Sequence, residues 1–301
     1  MQISLPSPLL LDAGLASLLE AKGHNLDHPL WSAYLLKDHP QSIYEAHLDH
    51  LRAGARIITT ASYQASFPGF REIGIEINEA SDLLLRSVQL ADEARETFTE
   101  EHDTQIWIAA SIGPYGAYLA DGSEYRGNYG ISREELKAFH RERIEVLLES
   151  EADFFACETL PSLEEAIVLA EILQEYQKAA WISFSCQDHE KTNEGQYLKD
   201  CVEALEGFEE IFAIGVNCSP PQYITALITE MKKAKTNKQI IVYPNSGEEY
   251  HPENKNWSGE SNLKACRTWT SEWIEAGADI IGGCCRMLPT HLNEMKIALK
   301  D

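Results

Sequence analysis

The sequence predicts a single (β/α)8 barrel, with residues 1–301 forming one domain. Three observations point to it. Eight short, near-continuous apolar runs alternate with longer segments of helical period, as expected of a parallel sheet covered on both faces. The length of 301 residues suits one α/β barrel domain. The alternative, a doubly wound open sheet, carries a GxGxxG turn after its first strand, whereas here that strand runs into Asp12-Ala13-Gly14.

The elements follow in order. The first strand is predicted over 9–11 (LLL), and a helix over 41–52 stops at Gly54, a residue suited to the C′ position. The second and third strands fall at 56–60 (RIITT) and 106–111 (IWIAAS). Ser132-Arg133-Glu134-Glu135 has the capping-box pattern that opens a helix, which runs on through Phe139, Ile144 and Leu147. The fourth strand is 154–157 (FFAC), and Ser162-Leu163-Glu164-Glu165 opens the next helix in the same way. Strands at 181–185, 212–217 and 240–243 follow. A helix around 268–275 stops at Gly277, and the eighth strand is 280–283 (IIGG).

In such a barrel, function lies at the C-terminal strand ends. Those ends read Asp12; Thr59-Thr60-Ala61-Ser62-Tyr63; Gly113-Pro114-Tyr115-Gly116; Cys157-Glu158-Thr159; Asn217-Cys218; Pro244-Asn245-Ser246-Gly247; and Cys284-Cys285. The fifth strand ends less tellingly, at Ser185-Cys186.

The charge excludes several classes. With 48 acidic against 25 basic residues, the net charge is −23. Nucleic-acid binding needs clustered Lys and Arg, and anionic membranes would repel this surface. Solubility alone accounts for such a charge, although it is compatible with a small cationic ligand. No run approaches a membrane span, and the N-terminus lacks the pattern of a secretory signal. Seven cysteines, an odd number, predict reduced thiols in the cytoplasm rather than a disulfide framework.

Cys218, Cys284 and Cys285 fall at two strand ends that face one mouth. Buried cysteine is commonly a small hydrophobe. Three thiolates at a barrel rim, however, suit Zn2+ with an open fourth position. Consecutive strand residues face opposite ways, so Cys284 and Cys285 can both contribute only where the backbone leaves strand geometry. Gly282-Gly283 would permit that. The assembly is anionic and would keep a bound substrate sulfur electron-rich, which favours alkyl transfer from a cationic donor over hydrolysis.

These residues resemble the homocysteine S-methyltransferases, a family of zinc-dependent barrels. The match runs from Leu10-Leu11-Asp12 to Gly282-Gly283-Cys284-Cys285-Arg286 and includes Gly215-Val216-Asn217-Cys218. The stretch from Ser111 to Gly127, with Tyr243-Pro244-Asn245-Ser246-Gly247-Glu248, resembles the branch that uses S-methylmethionine and often S-adenosylmethionine. The resemblance implies that residues 1–301 are one homocysteine-binding barrel domain. It implies Zn2+ on Cys218, Cys284 and Cys285, and L-homocysteine as acceptor. It implies Asp12 and Glu158 near the amino acid, with Glu158 at the ammonium. It also implies Thr60, Asn217 and Ser246 in the pocket, with Ser246 toward the carboxylate. Ala13 and Ser17 depart from the common Gly and Thr.

Some residues keep two readings. Asp12 could instead be a helix N-cap. Tyr63, Tyr115, Tyr118 and Tyr125 could pack a lid or face a sulfonium as cation–π partners. His47 and His50 are expected at the surface. Lids are expected after the second, third and seventh strands. Betaine as donor, selenocysteine as acceptor, and a non-catalytic zinc- or thiol-binding protein are the competing functions.

Overall fold

The computed structural model describes residues 3–251, 256–258 and 262–299; at 249–251 and 256–258 it is the backbone that is described. The strands are β1 (Leu9–Leu10), β2 (Ile57–Thr59), β3 (Trp107–Ile112), β4 (Phe154–Leu160), β5 (Ala180–Phe184), β6 (Ile211–Asn217) and β7 (Gln239–Tyr243). A short antiparallel hairpin of β8 (Glu249–His251) and β9 (Asn256–Ser258) follows, then β10 (Ile280–Ile281). Eight strands form one parallel sheet in the order β1-β10-β7-β6-β5-β4-β3-β2. A parallel bridge between Leu11 and Ile57 joins its two edges. The Arg56 N–H donates to Leu10 O at 2.8 Å and the Asp12 N–H to Ile57 O at 3.0 Å across that seam. The sheet is therefore a closed barrel, and the open-sheet alternative is excluded.

Strand alternation sorts the side chains into two layers. Leu10, Ile58, Ile108, Phe155, Ile182, Ile214, Val242 and Ile281 point outward into the core under the helices. Leu9, Leu11, Ile57, Phe154, Ala156, Trp181, Phe212, Ile241 and Ile280 fill the barrel. Trp181 is its largest fully buried residue, edge-on to Phe212 and Tyr243. Following the same parity toward the C-terminal ends, the inward positions become polar: Thr59, Ser111, Glu158, Ser183, Asn217 and Tyr243.

The helix caps expected from sequence are present. Ser132 and Glu135 form a reciprocal capping box on the helix Arg133–Leu147. Ser162 accepts the Glu165 N–H at 3.2 Å at the start of Leu163–Tyr176. The helices Pro40–Ala53 and Ala265–Ala276 stop at the positive-φ residues Gly54 and Gly277. Sequence patterning assigns no element to the 25-residue helix Ile77–Glu101, to the terminal helix Pro289–Ala298 or to the hairpin. Among the described residues, no helix is long and apolar enough to cross a membrane.

Two expectations need correction. His47 and His50 are fully buried, not at the surface. Spaced i, i+3, they share the face of Pro40–Ala53 that packs on the barrel, and burial lowers both imidazoles to about 3, so both are neutral. The eighth barrel strand ends at Ile281, two residues early. Gly282 and Gly283 adopt no positive φ among the described residues. They are needed for close approach: a Cβ at 282 would lie 2.6 Å from Asp12 O, and one at 283 would lie 2.8 Å from Met287 Cβ.

Gly215 makes the tightest contact of this kind among the described residues, since a Cβ there would lie 1.7 Å from Ile241 O on the neighbouring strand. Gly215→Ala is expected to destabilise the fold by about 3 kcal/mol or more through forced strand separation. Gly207, where an added Cβ would meet no atom within 4 Å, provides the control: thermal melting of Gly207→Ala should match the parent chain.

Candidate active site

The three cysteines are set by the backbone at the end of β7. The Cys218 N–H donates to Tyr243 O at 3.1 Å, and the Cys284 N–H donates to Pro244 O at 2.8 Å. Cys218 sits at φ 49°, in the left-handed region that side chains rarely adopt. That turn takes its thiol off the strand and into the mouth. The Cys284-Cys285 turn is held from three sides: Gly283 N–H on Asp12 O at 2.9 Å, Ser246 N–H on Cys285 O at 3.1 Å, and Arg286 N–H on Ser17 Oγ at 2.8 Å. Ser17 thus keeps the hydroxyl that a Thr would supply, and Ala13 fits because residue 283 has no side chain.

The result is a cluster of three sulfurs within 4.8 Å of one another, with Cys218 and Cys285 Sγ 3.3 Å apart. Hydrogen bonds from Cys284 and then Cys285 hold the Cys218 thiol well below its usual range. The other four cysteines, Cys157, Cys186, Cys201 and Cys266, are free and buried, and burial raises each of them.

A cavity of about 490 Å³ opens over this cluster. Of the residues expected in the site, Asp12, Thr60, Tyr63, Tyr125, Glu158, Cys218, Cys284 and Cys285 line it. Glu158 follows Cys157 on β4, whose register is irregular between Cys157 and Leu160, and the next residue, Thr159, has φ 61°. The Glu158 carboxyl accepts from Ser111 Oγ and is bonded to Tyr243, whose hydroxyl also accepts from Trp181 Nε1 at 3.0 Å. Burial outweighs these bonds and raises Glu158 to about 7. Asp12 accepts the Thr59 N–H at 2.7 Å and the Thr59 hydroxyl, yet burial pushes it well above the usual carboxylate range. Its bonds run to β2, not to the start of a helix, so it is no N-cap. Thr60 Oγ1 accepts the Ser111 N–H at 3.0 Å and pairs with Ser62 Oγ at 2.7 Å. The Tyr125 hydroxyl lies 3.3 Å from Cys218 Sγ.

Asn217, Ser246 and Tyr115 are not among the residues that line the cavity. Asn217 Oδ1 accepts from the Thr159 N–H and Ser183 Oγ, and its Nδ2 donates to Thr159 Oγ1 at 2.7 Å and reaches Cys284 Sγ at 3.8 Å. It orients the cysteine cluster. Ser246 Oγ is bonded to Glu248 at 2.7 Å, and Glu248 pairs with Arg286 at 3.3 Å; it braces the Cys285 turn. Tyr115 packs on Tyr118, Tyr129 and Phe139, the lid-packing alternative.

Sequence patterning misses the segment after β1, where Asn25, Asp27, His28 and Trp31 line the mouth, and it misses Glu124. The lids expected after β2 and β3 correspond to cavity residues Ala61, Tyr63 and Gln64 and to Ala120, Gly122, Glu124 and Tyr125. Of the lid expected after β7, residues 252–255 and 259–261 lie outside the described residues.

Fold and site together define a barrel enzyme built around a three-thiol centre. The homocysteine S-methyltransferase family model matches residues 9–299. A homocysteine S-methyltransferase of Bacillus subtilis is 47% identical over 293 residues, covering 95% of this chain and 93% of its own. A selenocysteine Se-methyltransferase of Brassica oleracea var. italica is 44% identical, covering 94% and 86%. The metallated form of the homocysteine methyltransferase MmuM from Escherichia coli superposes with a TM-score of 0.88 at 42% identity, covering 97% of this chain and 96% of its own. The chain belongs to the homocysteine S-methyltransferase family.

The Glu158 shift has a consequence for stability. With its pKa raised to about 7 from an ordinary 4.5, Glu158 binds its proton more tightly in the folded chain. Its contribution is complete below pH 4.5 and is lost as pH rises through 7. In the metal-free protein this amounts to roughly 3 kcal/mol. The buried neutral His47 and His50 act in the opposite sense below pH 6.5, so the check is the difference between the melting curves of the parent and of Glu158→Gln: the stabilisation specific to Glu158 should shrink as pH rises from 4.5 to 8.

Proposed function

We propose that this chain transfers a methyl group from a sulfonium donor, S-methylmethionine foremost and S-adenosylmethionine second, to the sulfur of L-homocysteine, with Zn2+ on Cys218, Cys284 and Cys285. The observation that carries this is the convergence of three thiols on an acid-lined cavity. The donor set fits the metal: Zn–S bonds of ~2.3 Å in a tetrahedron separate sulfurs by about 3.8 Å, and the three Sγ atoms lie within 4.8 Å of one another. When bound, Zn2+ would supply the acidity that lets a thiol react as its anion near neutral pH.

The remaining work falls to the chain. Glu158 and Asp12 receive the homocysteine ammonium; Ser111, Tyr243 and Thr59 hold those carboxyls in place. Tyr63 and Tyr125 present aromatic faces to the donor. Trp31 packs edge-on against Tyr63 at 6.0 Å, and together with the segments after β2 and β3 it limits water at the reacting atoms. In the displacement, the bond from the methyl carbon to the donor sulfur breaks and its electron pair stays on that sulfur. A new bond forms to the homocysteine sulfur, giving methionine and a neutral thioether. Opposite charges are neutralised in the transition state, so excluding water favours it. The free thiols fit a reducing compartment such as the cytoplasm. The Brassica relative supports a second reading, selenocysteine as acceptor.

The test is methionine formation from homocysteine with S-methylmethionine, S-adenosylmethionine or betaine, with zinc measured on the same sample. About one Zn2+ per chain is expected. Cys218→Ala should lose both metal and turnover, whereas Cys201→Ala keeps both. Full turnover by metal-free Cys218→Ala sinks the proposal. Asn217→Ala, which removes the support behind Cys284, is expected to weaken zinc ~10–100-fold, read by competition with a chromogenic chelator.

A further inference from the structure

Among the described residues the cavity lining holds five carboxylates, Asp12, Glu20, Asp27, Glu124 and Glu158, and no Lys or Arg. Two of them, Asp12 and Glu158, are already engaged by Thr59 and by Ser111 with Tyr243. Glu124 differs: its Oε2 is buried and has no hydrogen-bond partner. A buried carboxylate oxygen without a donor is costly unless a cation or donor arrives to face it. The neighbouring base, Arg126, is exposed and pairs with Asp121 at 3.3 Å and Ser123 Oγ at 2.9 Å.

Glu124 is also held in place. It lies in the single turn Ser123–Tyr125, entered through Gly122 at φ 83°. A Cβ at Gly116 would lie 2.4 Å from the Glu124 N, so the preceding helix packs directly on its backbone. Ser185 Oγ donates to Glu124 O at 3.3 Å from the other side. The next residue, Tyr125, reaches Cys218 Sγ at 3.3 Å. The segment after β3 therefore places this carboxylate in the lining of the cavity over the thiol cluster, close enough to interact electrostatically with Cys218, whereas Asp12 reaches the cavity from the end of β1.

We infer that Glu124 is the counter-charge for the sulfonium of the methyl donor, and that it makes the site distinguish a cationic donor from the neutral thioether left after transfer. This rests on the sulfonium reading of the function. The donor loses its positive charge as the methyl moves, so a carboxylate stabilises the bound donor more than the transition state. Glu124 therefore acts on donor affinity, and its influence ends with the reaction, which favours release of the thioether.

The experiment compares S-methylmethionine with methionine, which lacks the extra methyl and its charge, on the zinc-loaded parent, Glu124→Gln and Glu124→Asp. Glu124→Gln should raise the donor KM at least ~10-fold with kcat held or increased. Methionine inhibition should stay within about 2-fold of the parent, and Glu124→Asp should recover part of the donor affinity. A donor KM within about 2-fold of the parent's, or donor and methionine affinities falling together, overturns the inference. Donor binding by equilibrium dialysis reads the same difference without turnover. A parent chain that binds sulfonium with a Glu124-dependent affinity but transfers no methyl would overturn the proposed function and leave this inference standing.

Discussion

The site depends on two carbonyls at the end of one strand. β7 lies between β6 and β10, and its Tyr243 and the adjoining Pro244 present carbonyls that accept the N–H groups of Cys218 and Cys284. Two strands that never touch each other thereby deliver thiols to one point. Backbone bonds of this kind are short and directional, so the positions of the cysteine backbones from which the thiols project are inherited from the sheet. The left-handed turn at Cys218 and the close approach of Gly282 to Asp12 O are local costs of bending both chains toward that point.

The same sheet sets the rest of the wall. The parity that places Phe154 and Ala156 inside the barrel also places Glu158 inside, one layer higher, and sends Cys157 outward beneath the helices. Trp181 fills the barrel below and donates to Tyr243, which contacts Glu158 above. The packed floor and the reactive mouth are therefore one hydrogen-bonded column, and a change in the floor is felt at the carboxylate.

Much of this is legible in the sequence, for physical reasons. Continuous apolar runs mark strands buried on both faces, and Ser132 and Ser162 have the side chains that cap helices, so strand count, closure and caps follow. Cys218, Cys284 and Cys285 stand out because they lie beyond strand ends, where barrels place their chemistry. The parity of strand residues could also have exposed Ser111, Ser183 and Tyr243 as inward polar groups. Other features carry no such signal. The family resemblance implies a pocket position for Asn217 and Ser246, but which way a polar side chain turns depends on Thr159, Ser183 and Glu248, partners far from it or set by the local loop. His47 and His50 are polar by type and neutral by burial, and composition does not distinguish those conditions. The segment around Asn25–Trp31 has neither period nor motif, and tertiary packing alone brings it to the mouth.

The carboxyls of the mouth are the physical basis of the charged occupant proposed for the site. Asp12, Glu124 and Glu158 are all pushed upward by burial, so their ionised forms are poorly solvated until a cation faces them. A ligand carrying an ammonium or a sulfonium supplies that positive charge and so binds the folded chain in preference to the unfolded one, stabilising it by mass action. The net charge of −23 contributes little to this, because most surface carboxylates are screened within about 8 Å at physiological ionic strength. It is the handful of carboxyls withdrawn from water on which the proposed cationic donor would depend. The charge character of the mouth is thus a property of burial, set by the same packing that closes the barrel.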